Sequence, residues 1–181
     1  PDVVLVGETR DLETAEIVVR ASLTGHLVFT TLHTNDAVGA VTRMVDMGIP
    51  PYLLASASRA VLAQRLVRRL CPQCRRETAI SAADAVLLGQ PTLAGKIVWE
   101  ALPSGCPECL GGYKGRTGIH ELLAVSPAIS EAIRTAVPPA ELRRLAAAAG
   151  FRDMLDDGVD KILAGVTSVA EVLRSAGARR A

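Results

Sequence analysis

Two short, largely apolar runs, Val3 to Val6 and Leu27 to Leu32, flank a single amphipathic stretch, and they constrain this chain more than any other feature. Each run is uncharged and too short for a helix, so each is expected to be a strand buried on both faces, as inside a parallel sheet. Between them, Asp11 is placed to cap a helix whose Leu12, Ala15, Val18 and Val19 recur at helical spacing, and Gly25 stands where it should end. A parallel pair joined by one helix brings the carboxyl ends of both strands to one edge, where open α/β sheets bind ligands. Glu8 and His33 follow the two strands and are therefore expected to be neighbours on that edge.

A carboxylate held just beyond a buried strand and partly desolvated suits a general base, or a group that orients water around Mg²⁺. Glu8 is that candidate. His33, Thr34 and Asn35 form a donor cluster that runs into a helix N-terminus near Ala37, a favourable place for phosphate oxygens. Taken singly, a Glu after a strand is more often a helix-start or salt-bridge residue than a catalytic one, and His33 alone is no more specific.

The run Gly7, Glu8, Thr9, Arg10, Asp11, Leu12, Glu13, Thr14, Ala15, followed by Ser22 to Leu27 and Thr31 to Asn35, resembles the secretion ATPase superfamily. These are the hexameric motors of type II secretion and type IV pilus assembly. The first part resembles their Walker B region and the second their histidine box. The resemblance implies an α/β fold, the C-terminal part of a RecA-like P-loop ATPase domain. It makes Glu8 the Walker B glutamate that activates the attacking water, and Arg10 and Asp11 residues that hold the site's shape. His26 and His33 become the two box histidines, His33 the nearer to nucleotide, with Gly7, Thr34 and Asn35 in support. Gly7 stands where other P-loop ATPases have the Walker B aspartate, as is usual in this family. Thr9 replaces an aliphatic residue, which predicts slightly altered packing and unchanged chemistry. The resemblance further implies ATP and Mg²⁺, a homohexamer, inner-membrane secretion platform proteins as partners, and a cytoplasmic location peripheral to the inner membrane.

A nucleotide motor needs a glycine-rich loop ending in Lys and Ser or Thr. The only Gly-Lys pair here, Gly95 and Lys96, lacks the second glycine and the following hydroxyl. With Pro1 opening inside what should be a sheet, the chain is expected to be the C-terminal portion of a larger protein, inactive on its own. Its 181 residues suffice for one domain and part of another, and 49% hydrophobic content allows a real core. A formal net charge of +1 argues against a partner chosen by bulk charge, and 3% aromatic content leaves little for nucleic-acid bases to stack on. No apolar run approaches the length that crosses a bilayer.

After the box, Asp36 to Met47 carries Val38, Val41, Met44 and Val45 on one helical face, and Gly48 with Pro50 and Pro51 ends it. A long helix is expected from Tyr52 to about Leu70, with Leu53, Leu54, Ala57, Val61, Leu62 and Leu66 inward. Arg65, Arg68 and Arg69 would form a basic patch at its end, either a solvated face or a subunit contact.

Cys71 and Cys74 are two residues apart, as are Cys106 and Cys109, and each pair has Pro after its first cysteine. Two such knuckles place four thiolates around a tetrahedral ion, the usual closed structural zinc site; disulfides are the competing account. The intervening stretch has room for a helix at Ala82 to Leu88 and a strand near Ile97 to Trp99. A tetracysteine insert also resembles type II secretion and pilus-assembly ATPases and differs from pilus retraction motors. Gly111 to Leu123 continues the resemblance, with a strand expected over Ile119 to Val125 and His120 as an ordinary strand residue.

The rest is expected to be helical: a helix after Ser126 and Pro127, one from Pro138 and Pro139 to Ala149, one from Phe151 to Leu163, and a last one with Ser168 and Glu171 as a capping box. Asp156 and Asp157 are expected on solvated faces. The chain therefore divides into an ATPase-core part over 1–70, a zinc subdomain over 71–110, and a strand plus helices over 111–181. The function implied by the resemblance is ATP hydrolysis coupled to type II secretion, with pilus assembly second. The alternative of another class is a non-enzymatic zinc module that scaffolds a complex or binds nucleic acid through its arginines; it would show salt-dependent DNA binding.

Overall fold

In the computed structural model, which describes residues 1–178, β1 (Val3–Val6) and β2 (Leu27–Thr30) pair in parallel, Val3 opposite Leu27 and Val6 opposite Thr30. The crossover between them is α1 (Leu12–Leu23), capped by Asp11, whose carboxylate accepts the Thr14 N–H at 2.8 Å. Only one face of this pair is covered. Val3 is 55% and Leu5 74% exposed, and their partners Leu27 and Phe29 are similarly open. The expectation of strands buried on both faces is thus corrected: α1 packs over one side of a two-stranded sheet, and among the described residues of this unit nothing covers the other.

Contacts group the chain into two units: Pro1–Ala63 with Glu121–Phe151, and Gln64–His120 with Arg152 onward. The first contains β1, α1, β2, α2 (Ala37–Asp46), α3 (Pro51–Ala57), α5 (Pro127–Arg134) and α6 (Pro139–Ala148). Its core is Ala15, Val19, Val38, Val41, Leu54, Leu123, Ile129 and Ile133, with neighbours. A fully buried side chain of this size contributes roughly 1.5–3 kcal/mol by leaving water. Gly48 turns the chain after α2 at φ +106°, a conformation open to glycine and strained for other residues. Pro51 then begins α3 at a position where its missing N–H costs nothing.

The long helix expected from Tyr52 to Leu70 does not form. Helix α3 stops at Ala57, Ser58 is extended, and β3 runs from Ala60 to Leu70, paired with β6 (Tyr113–Ala124). Val61, Leu62 and Leu66 fit a helical stripe, but in the strand the alternation runs through Val61, Ala63 and Val67 on the covered side while Leu62 and Leu66 stay exposed, and pairing with β6 satisfies the backbone. Arg65, Arg68 and Arg69 therefore stand on alternate faces of a strand, and the helical basic patch is withdrawn. Strand β6 also begins earlier than the expected Ile119.

The second unit holds most of β3 and β6, β4 (Arg76–Ala79) antiparallel to β5 (Ile97–Glu100), α4 (Ala82–Leu87), a 3-10 turn at Pro91–Leu93, α7 (Met154–Leu163) and α8 (Val169–Ala176). Its core joins Ile80, Leu88 and Val98 to Leu155, Val159, Ile162 and Val172. Helix α7 starts at Met154 rather than Phe151, because Asp153 and Asp156 form a reciprocal capping box. Ser168 caps α8 by accepting the Glu171 N–H, but the expected box is not closed: the Glu171 carboxylate turns instead to Arg68 and Arg174. Asp157 is likewise not a free solvated charge, since it accepts the His120 N–H at 2.8 Å and pairs with Lys161.

Candidate nucleotide edge and cysteine centre

The carboxyl ends of β1 and β2 are laced together. Thr9 N–H donates to Thr31 O at 2.9 Å, and the Thr31 hydroxyl donates to Gly7 O at 2.6 Å. The Thr9 and Thr30 hydroxyls lie 2.7 Å apart, so the threonine that departs from an aliphatic pattern is buried with its oxygen satisfied. This lacing sets Glu8 beside His33. His33 Nε2 is 2.5 Å from Glu8 Oε1, and Arg10 is 2.5 Å from Oε2.

The two contacts differ in kind. Oε2 is engaged by the Arg10 guanidinium, whereas Oε1 is buried against the His33 ring, whose Nε2 approaches it closely but off the ideal hydrogen-bond angle. The hydrogen bond from Arg10 holds the Glu8 carboxyl below its usual range; burial opposes this, and the charge of Arg10 and the contact with His33 assist. Glu8 is therefore an ionised carboxylate at neutral pH, held between Arg10 on one oxygen and His33 on the other. That suits orienting a water molecule, and phosphoryl transfer asks for positioning and electrostatic help more than for a strong base.

The remaining sequence candidates divide. Gly7 ends β1, and a Cβ there would meet nothing within 4 Å, so its backbone carbonyl, not its lack of a side chain, joins the lacing. Asp11 is occupied as the α1 cap. Thr34 and Asn35 line an open cleft of about 380 Å³ with Asp36, Thr42, Arg43 and Arg143. His26 is not at this edge: it precedes β2, with Nδ1 3.1 Å from Ala21 O and 3.2 Å from the Thr24 hydroxyl, at the end of the sheet where Leu27 N–H meets Asp2 O.

One expectation is overturned by charge. The N-terminus of α2, read as a place for phosphate oxygens, already holds two protein carboxylates. Gly39 N–H donates to Asp36 Oδ1 at 2.7 Å, and Ala37 N–H donates to Glu121 Oε1 at 2.6 Å. Asp36 also pairs with Arg143 at 2.9 Å. Helix-end amides so engaged, with negative charge beside them, do not favour a further anion. Glu121 was hidden in the sequence only by its motif: it sits between Ile119 and Leu123 at the buried parity of a strand, an unusual place for a carboxylate.

In the second unit, the four cysteines converge. Cys71 Sγ lies 3.8 Å from Cys106 Sγ, Cys109 Sγ lies 3.6 Å from both Cys74 and Cys106, and all four fall within 4.8 Å of one another. Tetrahedral Zn–S bonds of about 2.3 Å require sulfurs roughly 3.8 Å apart. The arrangement meets that requirement and contains no disulfide, the four being free cysteines. The knuckles are joined by Cys71 N–H donating to Gly112 O at 2.9 Å, and a Cβ on Gly112 would come within 2.6 Å of Leu102 O. Burial and the neighbouring sulfurs push Cys74 up to about 12. Burial pushes Cys109 the same way, but the Cys106 N–H and adjacent sulfurs outweigh it and bring it down to about 7. Four thiolates this close repel one another unless a cation neutralises them, which is the chemistry of a closed metal site.

A family model described as Type II/IV secretion system protein matches residues 1–174. Type II secretion system protein E of Aeromonas hydrophila is 53% identical over 179 residues, covering 96% of this chain and 34% of that protein. Type II secretion system ATPase E of Vibrio cholerae is 50% identical over 175 residues, covering 96% and 34%. The chain thus spans about a third of the length of the curated relatives it matches. Among solved structures, the pilus retraction motor PilT with bound ADP aligns with a TM-score of 0.65 at 25% identity, over 97% of this chain and 39% of that one. The ATPase DotB of Legionella pneumophila aligns at 0.66 and 22%, over 98% and 39%. The fold is accordingly α/β, part of a RecA-like P-loop ATPase with a cysteine cluster that could hold zinc, and the chain belongs to the Type II/IV secretion system protein family.

Proposed function

We propose that this chain supplies the water-activating half of the ATP-hydrolysing domain of a hexameric motor that powers type II protein secretion. The observation that carries the reading is the ionised Glu8 carboxylate at the laced edge of β1 and β2, paired with Arg10 through one oxygen and with His33 through the other. When bound, ATP with Mg²⁺ supplies the electrophilic phosphorus and neutralises the charge that develops on it. The residues of this chain do the rest of the local work. Glu8 accepts a hydrogen bond from the attacking water and aims its lone pair. Arg10 keeps the carboxylate ionised through Oε2, and His33 sets its direction and offers a donor beside it. Thr34 and Asn35 furnish polar atoms on the same edge, and Gly7 contributes through its carbonyl. The phosphate-cradling loop has no counterpart in the sequence, so the edge fits half of a nucleotide site.

The printed names of the relatives favour type II secretion over pilus assembly. With that function go a homohexamer, docking to inner-membrane secretion platform proteins, and a place on the cytoplasmic face of the inner membrane. No helix of the described residues is long and apolar enough to cross a membrane, which accords with attachment through partners. Cys71, Cys74, Cys106 and Cys109 hold Zn²⁺ in a closed structural site, with no position for substrate.

The test is Glu8→Gln in a full-length secretion ATPase carrying this sequence. Turnover should fall by about 100-fold or more, with nucleotide affinity retained in a fluorescent-nucleotide titration. Wild-type turnover in that variant would remove Glu8 from the chemistry.

A further inference from the structure

We infer that Glu121 is a positioning residue for His33: its buried carboxylate receives the Ala37 N–H and fixes the far end of the segment that carries the imidazole to Glu8. The inference rests on the proposed role of the Glu8 edge.

The segment from Thr31 to Asp36 has no regular structure of its own; Leu32 packs against the core, and the two ends are held separately. The near end is held by the lacing of Thr9 and Gly7 to Thr31. The far end enters α2, whose cap Asp36 is exposed enough to meet Arg143 at the surface. Glu121 comes from a different strand, 84 residues along the chain, is only 4% exposed, and reaches the first helical amide at 2.6 Å. A carboxylate removed from water needs strong compensation, and a helix N-terminus offers both an N–H donor and favourable dipole charge. The contact is short and charge-assisted, so it resists the small slides that a surface cap alone allows. The His33 ring is largely exposed and meets Glu8. Its position against Glu8 therefore depends on how its segment is held: by Leu32 on the core side and by the two end anchors, of which the buried one is Glu121. A loss of an ångström or so in such placement can cost about 100-fold in rate.

The test is a double-mutant cycle in the full-length secretion ATPase, with Glu121→Leu, His33→Ala and the pair. Glu121→Leu keeps the volume and removes the acceptor. It should lower kcat by about tenfold or more, leave KM within about twofold, and cost less than about twofold when His33 is already alanine. Glu121→Gln, which keeps an oxygen acceptor, should restore at least part of the loss. If Glu121→Leu does not assemble, Glu121→Asp, which withdraws the carboxylate by one methylene, takes its place in the cycle. An equal kcat loss with and without His33, an effect confined to KM, or unchanged kcat overturns the inference. Glu8→Gln run alongside separates the two failures: if it is inactive while the cycle is additive, only the role of Glu121 falls, and if it is active, the catalytic reading itself falls.

Discussion

Glu171 and Glu121 are both buried carboxylates, and both show how one residue ties distant parts of a chain together. Glu171 is 1% exposed; its oxygens accept the Arg68 N–H at 3.0 Å, the Arg68 guanidinium at 2.6 Å and Arg174 at 3.0 Å. Arg68 in turn lies 4.0 Å over the Tyr113 ring, whose hydroxyl meets Ser168 at 2.9 Å. Burial alone would raise the Glu171 carboxyl, but these hydrogen bonds outweigh it and hold it down to about 2, from 4.5. Because the folded value is the lower one, the resulting stability is fully present above the unfolded value and is lost as pH falls from about 4.5 towards 2. Glu171→Gln should thus lower unfolding free energy by roughly 3 kcal/mol at pH 7. In urea titrations the gap to wild type should narrow below pH 4.5; a gap independent of pH would contradict the assignment. At this scale the sequence pointed to Glu171 for the wrong partner. Its spacing from Ser168 matches a capping box, but a guanidinium delivered by a remote strand is the stronger competitor for the same carboxylate.

Among elements, the knuckle pair and β3 make opposite lessons. The knuckles were legible because ligand spacing is a local constraint: Cys-Pro-x-Cys can bend back on one ion wherever the chain goes next. Cys74→Ser should release zinc, reducing metal content by elemental analysis from one ion per chain to near none. It should also loosen Cys71 to Cys109 in hydrogen exchange, while α1 and α2 of the other unit keep their protection. Unchanged zinc would exclude Cys74 as a ligand. Strand β3 was not legible, since Leu53 to Leu66 satisfies a 3.6-residue stripe as well as a two-residue alternation. Pairing with β6, a segment more than forty residues further along the chain, decided between them. The same non-local origin explains the α2 N-terminus, where local sequence offers amides to phosphate and β6 fills one with Glu121.

For the molecule as a whole, a half site implies dependence on polypeptide that brings phosphate-binding groups. The chain by itself is expected to show no ATP turnover above background in a phosphate-release assay; turnover matching a full-length secretion ATPase would mean that Glu8 and its neighbours suffice. The exposed face of Val3, Leu5, Leu27 and Phe29 belongs to the same picture, because strands this apolar are ordinarily covered on both sides in parallel sheets. The sequence by itself determined the parallel βαβ start, the edge shared by Glu8 and His33, and the four-sulfur cluster, because period, crossover geometry and ligand spacing act over a few residues at a time. Only the tertiary structure decided that 60–70 is a strand, that His26 lies at the far end of the sheet, and that the buried carboxylates of Glu121 and Glu171 reach their partners. Those outcomes depend on contacts between segments tens of residues apart, where a buried charge settles on whichever donor the fold delivers.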